Sequence, residues 1–322
     1  MSYAERVARR RRAVLLRRAR RATFVALAAA VLLLSEVSLI TQLVSRGEAA
    51  AVVRAGGPAA SAALAAPIIP VPRIVQVEAA AEAEPLCESP GTDAALTAKD
   101  PAALLEAFGG PAAMRDAIAA GRAPCVPLDE PALPWVVVNK QRPLEPIDYA
   151  PSSLQVPPSH IVPGELRADV VPAFEALVAA AQEEGAGRMA LFSGYRSHGT
   201  QSATYAAQVG ARGQEGADAL SAQPGFSEHQ LGLAADVVAC DAGGCGTIYE
   251  IGETTQGRWL AENAWRFGFI IRYEPGHTGT TGYDPEPWHL RYIGPELAAV
   301  YHEGGHHTLE GFFGLPPAPD YD

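Results

Sequence analysis

Two short stretches hold the side chains best suited to chemistry. Ser227-Glu228-His229-Gln230-Leu231-Gly232-Leu233-Ala234-Ala235-Asp236 sets a histidine and a carboxylate in an otherwise apolar, glycine-containing segment, and Glu286-Pro287-Trp288-His289 follows downstream. His229, Asp236 and His289 together offer two imidazoles and a carboxylate able to bind a divalent metal. Glu286 is a second carboxylate, left over for a separate task. Leu231, Leu233, Ala234 and Ala235 would wrap the ligands in a dry shell that strengthens metal electrostatics, and Gly232 admits a bend or a close backbone approach. Pro287 disfavours a helical Glu286, so an extended segment with a bend can direct His289 to the metal and Glu286 to the water beside it.

Among the eight histidines there is a competitor: His302-Glu303-Gly304-Gly305-His306 fits the H-E-x-x-H pattern of helical zinc sites. That pattern needs a continuous helix, so that its first and last residues share a face. Two central glycines cost about 1 kcal/mol each in a helix interior, and Gly304 reads as a terminator. His302 is therefore expected at a helix end, where the dipole favours it. A zinc site on Cys240 and Cys245 lacks a second cysteine pair to complete it. Cys87, Cys125, Cys240 and Cys245 allow three disulfide pairings. The glycines of Asp241-Ala242-Gly243-Gly244 permit a turn tight enough for a Cys240–Cys245 bridge, which leaves Cys87 to pair with Cys125.

The elements that must position these residues follow from periodicity and punctuation. Trp135 to Val138 reads as a short buried strand. Asp169 is expected to cap a helix running to Glu184, with Leu166, Val170, Phe174, Leu177 and Ala181 near one core-facing side. Met189 to Phe192 reads as a strand, followed by a helix capped by Ser197 and ending near Gly210. Thr255 can cap a helix through Phe267 that stops at Gly268. Phe269 to Tyr273 and Trp288 to Ile293 read as strands, and a last helix starts at Pro295 and ends before Gly304. Helices and strands in mixed order, without a regular βαβ repeat, predict an α+β fold.

Residues 1–21 hold nine arginines and one acid, Glu5, and precede an apolar run from Ala22 to Val44. A helix over that run spans about 34 Å, enough for a hydrocarbon core of about 30 Å. A cleaved signal peptide and a retained anchor compete. The small-residue cleavage candidate Ala49-Ala50-Ala51 lies too far beyond the apolar core at Phe24 to Leu34, which favours the anchor, although Glu36 counts against it. The expected organisation is a basic cytoplasmic tail at 1–21, a transmembrane signal anchor at 22–45 and an Ala/Pro-rich linker at 46–85. A small accessory segment at 86–133, the main domain at 134–315 and a tail at 316–322 follow. The C-terminal domain then lies outside the cell membrane, or is secreted if the signal is cleaved. The whole chain has a formal charge of −11, but its first 46 residues hold ten Arg and two Glu, leaving −19 on the rest. So acidic a domain is a poor partner for nucleic acid. Oligomeric state does not follow from these features.

Five ordered motifs carry a resemblance. Val138-Asn139-Lys140, Ser193-Gly194-Tyr195-Arg196-Ser197 with Gln201, Pro224-Gly225-Phe226-Ser227-Glu228-His229 through Asp236, Thr281-Gly282-Tyr283, and Glu286-Pro287-Trp288-His289-Leu290-Arg291-Tyr292-Ile293-Gly294 closely resemble the VanY-type zinc D-alanyl-D-alanine carboxypeptidases. The likeness runs from about Val136 to Gly294 and excludes the apolar run, the linker and the first cysteine pair. It implies a single α+β zinc peptidase domain over 134–315, with a central antiparallel sheet and flanking helices, acting on peptidoglycan stem peptides. It implies Zn2+ on His229, Asp236 and His289 with a fourth position open to water, Glu286 as general base, and Arg196 steadying the oxyanion or the peptide carboxylate. Ser227, Gln201, Tyr195 and Trp288 become candidate substrate contacts. Pro275-Gly276-His277-Thr278-Gly279-Thr280 departs from the usual lysine- and glutamate-containing loop. Three alternatives stay open: an LD-carboxypeptidase, an endopeptidase on the same peptides, and a cell-wall binding module without turnover.

Overall fold

The computed structural model describes residues 86–321. The expected cytoplasmic tail, anchor and linker lie outside the described residues. Among those described, no helix is long and apolar enough to cross a membrane.

A five-stranded antiparallel sheet organises the domain. Strands β3 (Arg188–Ser193), β4 (Ala234–Asp241), β7 (His289–Tyr292) and β6 (Phe269–Ile271) lie side by side in that order, and β5 (Gly244–Cys245) folds back on the end of β4. The run from Ala234 to Val238 is buried without a break, as expected of a central strand covered on both faces. A separate two-stranded ribbon pairs β1 (Leu154–Gln155) with β2 (Leu166–Arg167).

Helix α4 (Val171–Glu183) covers one face of the sheet, and the predicted stripe of Leu166, Val170, Phe174, Leu177 and Ala181 is fully buried. Its start differs from expectation. Asp169 does not cap α4, because both its carboxylate oxygens are taken by Arg167, at 2.7 and 2.8 Å. Trp135 to Val138 is buried but is not a strand. The buried Arg291 guanidinium claims the carbonyls of Pro134 and Val136, at 3.0 and 2.7 Å, and so occupies acceptors a neighbouring strand would need.

Helices α1 (Pro90–Ala98), α2 (Pro101–Ala107) and α3 (Pro111–Ala119) all begin on proline, where a missing amide hydrogen costs nothing. They share a second core with α8 (Pro295–Glu303) and α9 (Leu309–Phe313), built on Leu104, Met114, Trp135, Leu297, Phe312 and Phe313. Cys87–Cys125 and Cys240–Cys245 are both disulfide-bonded.

Residues 316–321, in the stretch expected as a tail, are docked. Ala318 is buried and its amide donates to Thr280 O at 2.8 Å. Pro319 O accepts from the buried Lys140 ammonium at 3.0 Å, and the Tyr321 hydroxyl accepts from Gln223 N at 2.9 Å. A buried cation needs acceptors, and the end of the chain supplies one of them.

Candidate metal centre

Sheet register brings the first two ligands together. Asp236 on β4 pairs directly with His289 on β7, and Ser193 at the end of β3 flanks Asp236 from the other side. His229 arrives from a short 3-10 turn, Glu228–Leu231, which ends at Gly232 in the left-handed conformation and feeds into β4. Its Nδ1 donates to Gly194 O at 2.7 Å, just past β3, leaving Nε2 aimed 3.2 Å from Asp236 Oδ2. His289 Nδ1 lies 3.3 Å from Asp236 Oδ1, and the two imidazole rings stand nearly perpendicular with centroids 5.0 Å apart.

One candidate ligand atom from each of His229, Asp236 and His289 falls within 4.8 Å of the other two, and all three residues are buried. His229 Nε2 and Asp236 Oδ1 have no hydrogen-bond partner. Buried polar atoms left unsatisfied cost about 1–3 kcal/mol each, and a divalent cation among them removes that cost. The donor set of two imidazoles and one carboxylate, with a side open to the cavity, fits a zinc ion with a vacant position.

Glu286 stands beside the cluster, with one carboxylate oxygen 3.6 Å from His289 Nδ1. It sits on a turn in which His289 N donates to Glu286 O at 3.0 Å, so the bend expected at Pro287 is present. Burial pushes the Glu286 carboxyl up to about 8; Asp236 and Glu228 add to the rise, while His289 and Arg196 oppose it. A carboxyl raised that far holds its proton at neutral pH, and a cation bound beside it would lower it toward the range of a general base. Burial alone would raise the Asp236 carboxyl, but His229 and His289 outweigh it and hold the group ionised.

Behind the ligands lies a charged layer that the two motifs do not reveal by themselves. Glu228 Oε2 accepts from His289 Nε2 at 3.2 Å, which fixes the tautomer and frees Nδ1 to face Asp236. Glu228 Oε1 accepts from Arg272 at 2.9 Å and Arg291 at 2.6 Å. Arg272 in turn forks onto Glu310 at 2.7 and 3.0 Å, and Asn139 donates to the same carboxylate at 3.0 Å. Two buried arginines balance two buried glutamates, and the chain of contacts runs from α9 to the candidate metal. Its sequence signal is slight: a glutamate beside His229, and arginines standing among apolar strand residues at Ile271-Arg272-Tyr273 and Leu290-Arg291-Tyr292.

A cavity of about 140 Å³ opens over the cluster. Arg196, Ser227, Glu286 and Trp288 line it, as the sequence predicts, and Arg196 Nε is buried without a partner. Trp288 meets the exposed Tyr249 edge to face, with ring centroids 5.2 Å apart. Tyr195 and Gln201 are not in its wall. The Tyr195 amide is bonded to Glu165 O, and Gln201 is buried behind the wall, donating to Ala222 O at 2.6 Å. Thr204, Gln208 and Arg212 do line the cavity although nothing in the sequence marks them.

An antiparallel sheet that presents an open His-Asp-His cluster to a cavity, with a basic carboxylate alongside, makes this an α+β domain with a candidate metal centre of the kind hydrolases use. Residues 164–295 match the family model described as VanY: D-alanyl-D-alanine carboxypeptidase. The D-alanyl-D-alanine carboxypeptidase of Enterococcus faecalis (strain ATCC 700802 / V583) is 38% identical over 188 residues, covering 55% of this chain and 65% of that relative. The bifunctional D-Ala-D-Ala dipeptidase and D-Ala-D-Ala carboxypeptidase VanXYC of Enterococcus gallinarum is 31% identical over 160 residues, covering 49% of this chain and 82% of that one. A solved structure of the LdcB LD-carboxypeptidase superposes with a TM-score of 0.51 at 36% identity, covering 56% of this chain and 85% of the other. The chain belongs to the VanY D-alanyl-D-alanine carboxypeptidase family. It spans just under two thirds of the length of two of the curated relatives it matches.

Proposed function

We propose that this protein is a zinc-dependent carboxypeptidase that removes the terminal D-alanine from peptidoglycan stem peptides outside the cytoplasmic membrane. The observation that carries the proposal is the convergence of His229, Asp236 and His289, with orphaned ligand atoms, next to Glu286 in an open cavity. Zinc bound there would supply Lewis acidity toward the scissile carbonyl and acidify a water molecule. Glu286 takes the proton from the attacking water and returns it to the leaving amine. Arg196, with a free donor at the cavity wall, holds the peptide carboxylate or the developing oxyanion. Glu228 keeps His289 in the tautomer whose Nδ1 is available. Ser227 and Trp288 wall the substrate. The two disulfides favour an oxidising compartment, in keeping with display beyond the membrane.

A second reading is favoured by the likeness to an LD-carboxypeptidase: cleavage between an L-centre and D-alanine in a tetrapeptide. Both are decided by giving the full-length protein, in detergent, pentapeptide and tetrapeptide stems with and without chelator and identifying the products by mass. D-alanine release that stops with chelator and returns with zinc is expected. Release from neither stem overturns both readings.

A further inference from the structure

The cavity does not end at the reaction centre; it continues along helix α5 (His198–Asp218). Thr204, Gln208 and Arg212 are spaced four residues apart, which stacks them on one helix face. Eight residues of helix advance about 12 Å, the length of three to four residues of extended peptide. Charge separates the two ends of the cavity. Its acids are Glu228, Asp236 and Glu286, all at the candidate metal cluster with Arg196 beside them, whereas the only charge on the remaining wall is Arg212. This basic wall stands out in a chain of net charge −11. Among the described residues, neither Arg196 nor Arg212 is engaged in an ion pair, whereas Arg115, Arg167, Arg266, Arg272 and Arg291 are. Arg212 is exposed and tied to its own helix. Its Nη1 donates to Gln208 Oε1, and the helix breaks immediately after it, at Gly213 with φ 75°. The turn brings the bare Gly216 against the arginine stem, where an added Cβ would lie 2.9 Å from Arg212 Cβ.

We propose that Arg212, supported by Gln208 and Thr204, forms an outer subsite for a second carboxylate of the substrate, upstream of the bond that is cut. The subsite rests on the peptide-trimming function proposed above. In a stem peptide the carboxylate has two possible sources, the free α-carboxyl of the γ-linked glutamate and the side-chain carboxyl of a diaminopimelate in third place.

Four pentapeptide stems separate them: glutamate free or amidated, each with diaminopimelate or lysine third. With the full-length protein, removing the recognised carboxylate is expected to raise KM about five- to tenfold, the scale of one partly exposed charge-assisted contact. Arg212→Gln should bring that ratio close to one through KM rather than kcat, and Arg212→Lys should retain part of it. The source is the carboxylate whose ratio collapses. A wild-type enzyme indifferent to both carboxylates, or a ratio that survives in Arg212→Gln, overturns the subsite. Equilibrium binding of the matching tripeptides, already stripped of D-alanine, needs no turnover. If the wild type releases no D-alanine, the proposed reaction falls, while a loss of acidic tripeptide affinity on Arg212→Gln still upholds the subsite. No such loss removes it.

Discussion

The protein has two histidine clusters, and they differ in what their ring nitrogens face. At the candidate metal centre His229 and His289 converge on Asp236, and His229 Nε2 and Asp236 Oδ1 have no hydrogen-bond partner. The other cluster, His302, His306 and His307, lines a larger hollow of about 510 Å³. Its members are partnered elsewhere. His302 stacks on Trp265 with centroids 4.6 Å apart, His306 Nε2 meets Arg115 Nη2 at 2.6 Å, and His307 Nδ1 meets Glu274 at 2.8 Å. Helix α8 ends at Glu303, and Gly305, at φ 62°, turns the chain before His306. The H-E-x-x-H text is present without the helix that gives it meaning. A candidate metal site is thus marked by buried donor atoms that share a direction and lack other partners, not by a local string of ligand residues.

The comparison is tested most severely by His229→Ala. We expect zinc content to fall to background and activity to drop by about a thousandfold or more, because one of three ligands is gone. Unchanged metal by elemental analysis would move the centre elsewhere, with the His302 cluster next in line. Glu286→Gln should retain zinc but lose about 10²- to 10⁴-fold in kcat, the range for removing a general base; near-normal turnover would reject that role. Glu228→Gln acts one layer further out. Losing the charged acceptor behind His289 should weaken zinc affinity by about 10- to 100-fold in a chelator competition titration. It should also lower thermal stability, since Arg272 and Arg291 stay buried with less compensation. The smallest effect is expected from His302→Ala: full zinc stoichiometry, kcat within about twofold, and a stability loss of about 0.5–1.5 kcal/mol from the lost stacking on Trp265. Metal loss in this variant would erase the distinction between the clusters.

Much of this architecture is written in local sequence. The apolar period of Leu166 to Ala181 marks the buried face of α4, Ser197 caps α5 with its side chain accepting from Thr200 N at 3.1 Å, and the glycine pair at 304–305 ends α8. Each depends on residues a few positions apart, where backbone sterics and helix geometry decide the outcome. The ligand types at His229, Asp236 and His289, and the separate carboxylate at Glu286, are visible for a related reason: polar groups in an apolar setting need a compensating partner. Where a pattern competed with tertiary partners, the partners won. Arg167 took the Asp169 side chain meant for a helix cap, and Arg291 took the carbonyls of Pro134 and Val136, in and just before the would-be strand at Trp135 to Val138.

The sequence by itself therefore determined which residues are able to hold a metal and roughly which elements carry them. Only the tertiary structure decided that Asp236 lies opposite His289, that Glu228 stands behind it, that Gln201 is buried behind the cavity wall while Arg212 lines the cavity, and that residues 316–321 are docked. These relations join residues far apart in the chain through strand register and helix orientation. A slip of one residue between β4 and β7 would turn Asp236 to the opposite face of the sheet, and no local signal specifies that alignment.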